Sequence, residues 1–275
     1  MTSVDAVIVA KDISEVLPET IEGLKTYAFS KVIVVVAKDS EKPMWCDVLV
    51  VDKGRLGKAR NTGVDLANSD FICMVDADII LTKNYVRTLL EYFKDPKVAA
   101  VGGKLESYSK SLYALVKAQV FRGYCKVHSD VPCGGTIYRT AVLKKERFND
   151  LLAGGEDHEL HVRLKKKNYK VIYTEKASCF HYYKGGMKKE VFSCMLSGAR
   201  TGLLPTLLRA VISPLRSLLI LMACRDNIYS LFIPPFYIAQ WMAHVFGAFF
   251  TEDEIKAKMK ALVYELPYQP FARPT

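Results

Sequence analysis

The sequence predicts an α/β protein with a mainly parallel, doubly wound sheet, followed by a helical C-terminal region. Two observations carry the sheet. Short apolar runs alternate with helix-like segments through the first half of the chain, the order expected when helices cover the faces of parallel strands. One of those runs, Phe71-Ile72-Cys73-Met74-Val75, ends abruptly in Asp76-Ala77-Asp78, and strands of open α/β sheets present their ligands at their carboxyl ends. A third observation carries the C-terminal region: Asn227 to Phe250 is 24 residues without Asp, Glu, Lys or Arg.

Val4 to Val9 reads as the first strand. Pro18 opens a helix through about Phe29, since the first helical turn has no use for the N–H that proline lacks. Val32 to Val36 is a β-branched strand followed by Ala37-Lys38-Asp39-Ser40, and Val48 to Val51 is another strand. Gly57 to Ala67 reads helical. The Phe71–Val75 strand, a helix from Thr82 to Phe93 and a strand from Val98 to Val101 complete the series, with no internal repeat or low-complexity segment. The turn after the first strand, Ala10-Lys11-Asp12-Ile13-Ser14, has no glycine. Gly54-Arg55-Leu56-Gly57 has the wrong spacing for G-x-G-x-x-G, so a hydride-transferring dinucleotide enzyme is set aside.

The chain has 275 residues, half of them hydrophobic, enough for one large domain or one domain plus an appendage. A net charge of +10 suits nucleic acid, anionic lipid or phosphorylated substrates without choosing between them. Seven cysteines form no C-x-x-C pair and sit mostly in apolar surroundings, so they read as reduced, buried thiols of an intracellular protein. Asp5 and Asp12 flank the first apolar stretch, unlike a signal peptide.

Composition shifts after about residue 190, dividing the chain into 1–190 and 191–275. The charge-free stretch is long enough to span a bilayer, which needs ~20 residues, although Pro234-Pro235 interrupts it. In Leu203–Cys224, Thr206, Arg209, Ser213 and Arg216 form one polar stripe, as in an amphipathic helix at a membrane interface or against a polar partner. Lys256, Lys258 and Lys260 follow, and basic flanks suit a hairpin with both ends cytoplasmic. The expectation is attachment to the cell membrane, with residues 1–190 on the cytoplasmic side. The alternative is a soluble helical subdomain packed on the sheet.

Two carboxylates at a strand end are costly unless a positive charge holds them. Mg²⁺ or Mn²⁺, bridging Asp76/Asp78 to substrate phosphates, is the usual solution; two solvated acids are the alternative. Arg60, near a helix start in Gly57-Lys58-Ala59-Arg60-Asn61-Thr62-Gly63, suits a phosphate or is a surface residue. Gly134-Gly135 lets the backbone approach a ligand, or makes a turn. In Gly154-Gly155-Glu156-Asp157-His158-Glu159, Asp157 is a helix cap or a general base for an acceptor hydroxyl. His158 and His161 are three apart, unlike H-E-x-x-H, and read as helix-surface residues. His181 is a candidate third metal ligand or a structural histidine. Residues 163–189 hold nine Lys or Arg against one acid, Glu175. Such a run serves nucleic acid, anionic lipid or solvent, and the apolar segments downstream favour lipid over nucleic acid.

Taken in order, these motifs resemble the family 2 glycosyltransferases, which carry the nucleotide-sugar-binding fold called GT-A. Pro18-Glu19-Thr20-Ile21 resembles that family's opening segment, and Ala59-Arg60-Asn61-Thr62-Gly63 its A-R-N-x-G stretch. Asp76-Ala77-Asp78 matches its D-x-D. Gly134-Gly135-Thr136-Ile137-Tyr138-Arg139 through Leu143 resembles its G-G-x-x-x-R…L element, and Glu156-Asp157 followed by Arg163-Leu164 its E-D…R-L motif. The resemblance covers residues 4 to about 185. Beyond it, Gly198-Ala199-Arg200 before apolar segments looks like a pared-down membrane region of cellulose-synthase-like members. The family's P-x-x-N-E and its paired acids are replaced here by Val9-Ala10-Lys11-Asp12-Ile13 and Ala37-Lys38-Asp39, and Q-x-x-R-W is not evident, which points away from polymer synthesis.

The resemblance implies an inverting, metal-dependent enzyme. It would move one sugar, best matched as mannose from GDP-mannose, to a polyprenyl- or dolichyl-linked acceptor at the membrane, as in lipid-linked glycan assembly for N-glycosylation. It implies Asp78, Asp76 and His181 on Mn²⁺ or Mg²⁺, donor contacts from Asp12, Asp39, Arg60, Asp76, Gly134 and Gly135, and Asp157 as the catalytic base. The alternatives are a dolichyl-phosphate sugar synthase and a non-catalytic nucleotide- or nucleic-acid-binding membrane protein. A D-x-D-x-[TV] phosphatase fits poorly, because the fifth position is Ile80 and the pair lies on a middle strand.

Overall fold

A computed structural model of the chain describes residues 2–152, 154–183, 186–201 and 203–263, in two compact units, 1–183 and 184–275. In the first unit, β1 (Val4–Ala10), β2 (Lys31–Val36), β3 (Val48–Val51), β4 (Phe71–Asp76), β5 (Ile79–Leu81), β6 (Val98–Ser107), β7 (Thr136–Arg139) and β8 (Lys170–His181) form one sheet. Its order is β3-β2-β1-β4-β7-β6-β8-β5. The helices are α1 (Pro18–Leu24), α2 (Leu56–Leu66), α3 (Tyr85–Leu90), α4 (Leu112–His128), α5 (Thr140–Glu146) and α6 (Glu156–Lys166).

Because side chains alternate along a strand, each continuous apolar run feeds two core layers. Ala6, Ile8, Val34, Cys73 and Val75 join Leu24 and Leu89 in one layer. Val7, Ile33, Val35, Ile72 and Met74 join Ala59, Val64 and Leu160 in the other. All seven cysteines are buried, and none is joined in a disulfide.

The parallel expectation holds for the first four sheet neighbours, β3, β2, β1 and β4. It holds again for β6 and β8 but fails at β7 and β5. β7 runs antiparallel to both β4 and β6, and β5 antiparallel to β8, so the sheet is mixed. The reason is where the chain enters β7. Gly135 donates its N–H to the Met74 carbonyl at 2.6 Å, near the carboxyl end of β4, so the following strand must run back along it. A strand of four residues carries no sequence signal of its direction. Two helices are also shorter than expected. The first ends at Leu24, and the one expected over 82–93 is α3 continued by a 3-10 turn, Glu91–Lys94.

The second unit contains α7 (Gly186–Thr201), α8 (Leu203–Ala223), α9 (Ile233–Gly247) and α10 (Glu252–Val263). The transmembrane expectation is corrected here. Asn227 accepts the Tyr229 N–H at 2.9 Å and caps a 3-10 helix, Ile228–Phe232. Pro234 and Pro235 then sit in the first turn of α9, where they start a helix instead of bending one. The 15 residues of α9, at ~1.5 Å each, are too short for ~30 Å of hydrocarbon. Among the described residues no helix is long and apolar enough to cross a membrane.

In α8 the side chains of the polar stripe are described only at Thr206 and Arg216. Thr206 is buried, as is Ser217, while Leu215 and Met222 are 62% and 61% exposed. The side chains of Arg209 and Ser213, and those of Gly198, Arg200, Lys258 and Lys260, lie outside the described residues.

Candidate active site

The strand register brings the carboxyl ends of β1, β2 and β4 together, with Val9 beside Asp76 and Ala10 beside Val36. Asp12 follows β1 and caps the 3-10 turn Ile13–Glu15. Its carboxylate accepts the Ser14 N–H at 3.0 Å and the Ser14 hydroxyl at 2.9 Å, and lies 3.2 Å from Lys38 Nζ. These partners, the Ser14 N–H first, hold its carboxyl below the ordinary range. Asp39, after β2, is exposed and faces Lys53 at 3.6 Å.

Asp76 closes β4. Its Oδ1 accepts from Arg60 Nη2 at 3.1 Å, and Arg60 Nε donates to Glu156 Oε1 at 2.9 Å. Arg60 is only 4% exposed. Burial opposes its charge, but Cys133, Asp76, Glu156 and Asp157 around it keep the guanidinium firmly protonated. Nε and Nη2 are thus each bonded to a carboxylate. The residues around Arg60 in α2 are likewise committed to packing. Asn61 exchanges hydrogen bonds with the Phe148 backbone and donates to Asp150. A Cβ on Gly57 would stand 2.0 Å from the Asn149 carbonyl oxygen.

The glycine pair is explained by close approach. A Cβ on Gly134 would lie 2.7 Å from Asp76 Oδ2, and Gly135 has φ +85°, a backbone region that L side chains rarely adopt. Arg139, which ends that motif, sits over Phe71 and Phe93 and donates to the Phe93 and Val98 carbonyls, away from Asp76.

Asp78 lies beyond the turn from β4. The pairing of β5 with β8 sets Ile79 opposite His181, and His181 Nε2 is 3.3 Å from Asp78 Oδ1. The other ring nitrogen, Nδ1, is buried with no hydrogen-bond partner among the described residues. The structure thus brings together two of the three expected metal ligands, while Asp76 is held by Arg60. Among the described residues no group of three or more His, Cys, Asp and Glu is placed to hold a metal. One carboxylate and one imidazole still fit Mg²⁺ or Mn²⁺, which take few protein ligands and fill the rest from phosphate and water.

Asp157 occupies the first turn of α6, entered through Gly155 at φ +72°. Its Oδ2 accepts the Cys133 N–H at 3.2 Å, tying it to the glycine-pair loop, and Oδ1 accepts the His158 N–H at 2.7 Å. A cavity of about 310 Å³ opens beside it, lined by Phe121, Tyr124, Asp130, Glu156 and His158 among others.

His161 is not on the helix surface as expected: it is fully buried. Its Nε2 is 2.8 Å from the Tyr138 hydroxyl, and its Nδ1 is 2.6 Å from Asp130 Oδ1. Asp130 Oδ2 is 2.6 Å from His158 Nδ1. Burial alone would raise the Asp130 carboxyl; hydrogen bonding and charge from His161, then His158 and the Val131 N–H, bring it down to about 2. Asp130 was missed from the sequence because nothing marks it locally. The burial of His161 was readable, since it stands beside Leu160 and three residues before Leu164 on the apolar face of α6. Part of the basic run is also paired internally: Arg163 with Glu159, Lys167 with Glu146, and Lys170 with Asp95.

The family model described as Glycosyl transferase family 2 matches residues 5–192. A pre-mycofactocin glycosyltransferase of Mycobacterium tuberculosis is 25% identical over 201 residues, 62% of this chain and 43% of that protein. A dolichyl N-acetyl-α-D-glucosaminyl phosphate 3-β-D-2,3-diacetamido-2,3-dideoxy-β-D-glucuronosyltransferase of Methanococcus voltae is 23% identical over 164 residues, 53% of this chain and 51% of that one. The chain therefore spans about half the length of these curated relatives. The mannosyltransferase PcManGT from Pyrobaculum calidifontis, solved with GDP-Man and Mn²⁺, aligns over 95% of this chain and 80% of its own, at TM-score 0.53 and 14% identity. At that identity the likeness is one of fold, a GT-A-like mixed α/β architecture.

Proposed function

The chain belongs to glycosyltransferase family 2, and from that premise we propose that it is an inverting glycosyltransferase that moves one sugar from a nucleotide sugar to a lipid-linked acceptor. The observation that carries this reading is the meeting of the Asp76–Asp78 segment, the glycine pair and Asp157. Gly134 lies against the Asp76 carboxylate, and the Cys133 N–H binds Asp157, so donor-side and acceptor-side acids flank one loop.

In this reading Asp12, Asp39 and the backbone at Gly134-Gly135 receive the nucleotide sugar. Asp78 and His181 would hold Mn²⁺ or Mg²⁺. That ion would offset charge on the departing diphosphate. Arg60 acts behind Asp76, fixing its carboxylate and that of Glu156, instead of touching phosphate itself. Asp157 takes the proton of the acceptor hydroxyl as its oxygen bonds to the anomeric carbon from the face opposite the leaving group. The bond from that carbon to the diphosphate oxygen breaks, and the nucleoside diphosphate departs. GDP-mannose is the proposed donor, supported by the fold shared with a GDP-Man-bound mannosyltransferase.

The acceptor is proposed as polyprenyl- or dolichyl-linked, presented at the cytoplasmic face of the cell membrane. The dolichyl-linked relative supports it, as does the outward apolar surface of the second unit: Leu215 and Met222 on α8, Ile228 and Leu231 after it, and Met242 and Phe246 on α9. Helices of this kind lie in a headgroup layer without crossing it. Calorimetry with GDP and Mn²⁺ tests the donor half of the proposal. Wild type should bind in a metal-dependent way and Asp78→Ala should not; equal affinity for both would reject the role given to Asp78.

A further inference from the structure

The cavity beside Asp157 has a composition that restricts what can attack there. Phe121 and Tyr124 supply aromatic surface, and Asp130, Glu156, Asp157 and His158 supply polar groups. No Lys or Arg is among its described lining residues. Arg60, whose Nε and Nη2 are bonded to Glu156 and Asp76, is not among them either. Glu156 is buried, and its Oε2 has no hydrogen-bond partner among the described residues.

A phosphate nucleophile carries between one and two negative charges near neutral pH. Here it would enter among three carboxylates with no Lys or Arg among the described lining residues to receive it. It is also already deprotonated, so a base beside it would have nothing to do. A sugar hydroxyl is the opposite case. Its O–H groups donate to acceptor-only carboxylates, its C–H face packs on aromatic rings, and it must lose a proton to attack.

His158 has a defined place in this arrangement. Its Nδ1 is 2.6 Å from the buried Asp130 carboxylate and 3.1 Å from the Tyr124 hydroxyl, so the ring is oriented and Nε2 is the nitrogen left for a ligand. His161, 2.6 Å from the other Asp130 oxygen, fixes that carboxylate in turn.

We propose that the nucleophile at this site is a hydroxyl of a neutral sugar and not a phosphate oxygen, and that His158, oriented by Asp130, recognises that sugar. The inference rests on the glycosyltransferase reading and deepens it: the lipid-linked acceptor would already carry a sugar, and a reaction placing a first sugar on the lipid phosphate must come before this one. The hydroxyl proton passes to Asp157, and the nucleoside diphosphate leaves as before.

The test uses the full chain and whichever nucleotide sugar it turns over with Mn²⁺. Nucleoside diphosphate release is compared with a panel of hexyl glycosides and with citronellyl phosphate as acceptor probes. The glycosides should raise the rate about tenfold above the phosphate. His158→Ala should raise the glycoside KM about tenfold, the scale of one lost hydrogen bond, and leave the nucleotide-sugar KM within about twofold. Faster release with the phosphate, or no preference between the probes, overturns the hydroxyl assignment. An unchanged glycoside KM in His158→Ala overturns the role of His158. Failure to release nucleoside diphosphate from any nucleotide sugar is a separate outcome: it removes the glycosyltransferase reading, and this inference with it.

Discussion

In the sheet unit three buried polar side chains are held in networks: Arg60 with Glu156 and Asp76, His161 with Asp130 and Tyr138, Asn61 with Phe148 and Asp150. In the helical unit Leu215, Met222, Ile228, Leu231 and Phe249 face outward. The first unit buries its apolar strand runs in two core layers. Among the described residues of the second, Cys194, Met195, Ala243 and Ile255 form one buried cluster, and large apolar side chains are left outward. The difference separates what the chain needs in order to fold from what it offers to a surface.

The largest expected effect falls on chemistry in the first unit. Asp157→Asn should keep donor affinity and lose about 10²–10⁴-fold in transfer rate, because an amide preserves shape but not proton affinity. Near-normal turnover in steady-state kinetics would make Asp157 a helix cap and place the base elsewhere. Arg60→Met should destabilise the sheet unit by about 3–5 kcal/mol in denaturant unfolding, since it leaves the Glu156 carboxylate buried without its cation. A loss under about 1 kcal/mol would show that this buried network does not distinguish the two units.

Asp130 gives a pH signature. Its folded carboxyl, at about 2, lies below the ordinary value of 3.8. A depressed carboxyl stabilises the fold above its unfolded pKa, and that contribution is lost as pH falls through the folded value. Stability should therefore drop by about 2 kcal/mol between about pH 4 and pH 2, and the drop should be absent in Asp130→Asn. A parallel pH profile for the two proteins would contradict the assignment. The smallest effect belongs to the second unit. Replacing Leu215, Met222 and Phe249 by Ser should lower retention on anionic liposomes about tenfold. Wild type that liposomes do not retain would mean that this surface meets some other partner.

Much of the fold was legible because continuous apolar runs are read the same way in sequence and in space: β1, β2, β3 and β4 begin and end within a residue of expectation. What the sequence does not carry is direction and long-range pairing. β7 reverses because its entry is bonded to Met74, a contact between residues far apart in the chain. Arg60 looked like a phosphate ligand because a cation at a helix start is the local signal; only the fold reveals Glu156, 96 residues away, at its Nε. Asp78 stands in the turn just before β5, whose first residue pairs with His181 on β8, and their proximity was readable only as a chemical pattern. The charge-free stretch misled for a local reason: Asn227 and the two prolines start new helices within it, so a run long enough to span a bilayer becomes a helix that is not.

The central claim is that this site takes a nucleotide sugar and releases its nucleoside diphosphate. The most direct measurement offers the full chain a panel of nucleotide sugars with Mn²⁺ and a polyprenyl-linked sugar acceptor, and follows nucleoside diphosphate release. Release from GDP-mannose is expected, with loss of the signal in Asp78→Ala and on chelation of the metal. Release from no member of the panel, by protein that is folded and metal-supplied, would contradict it.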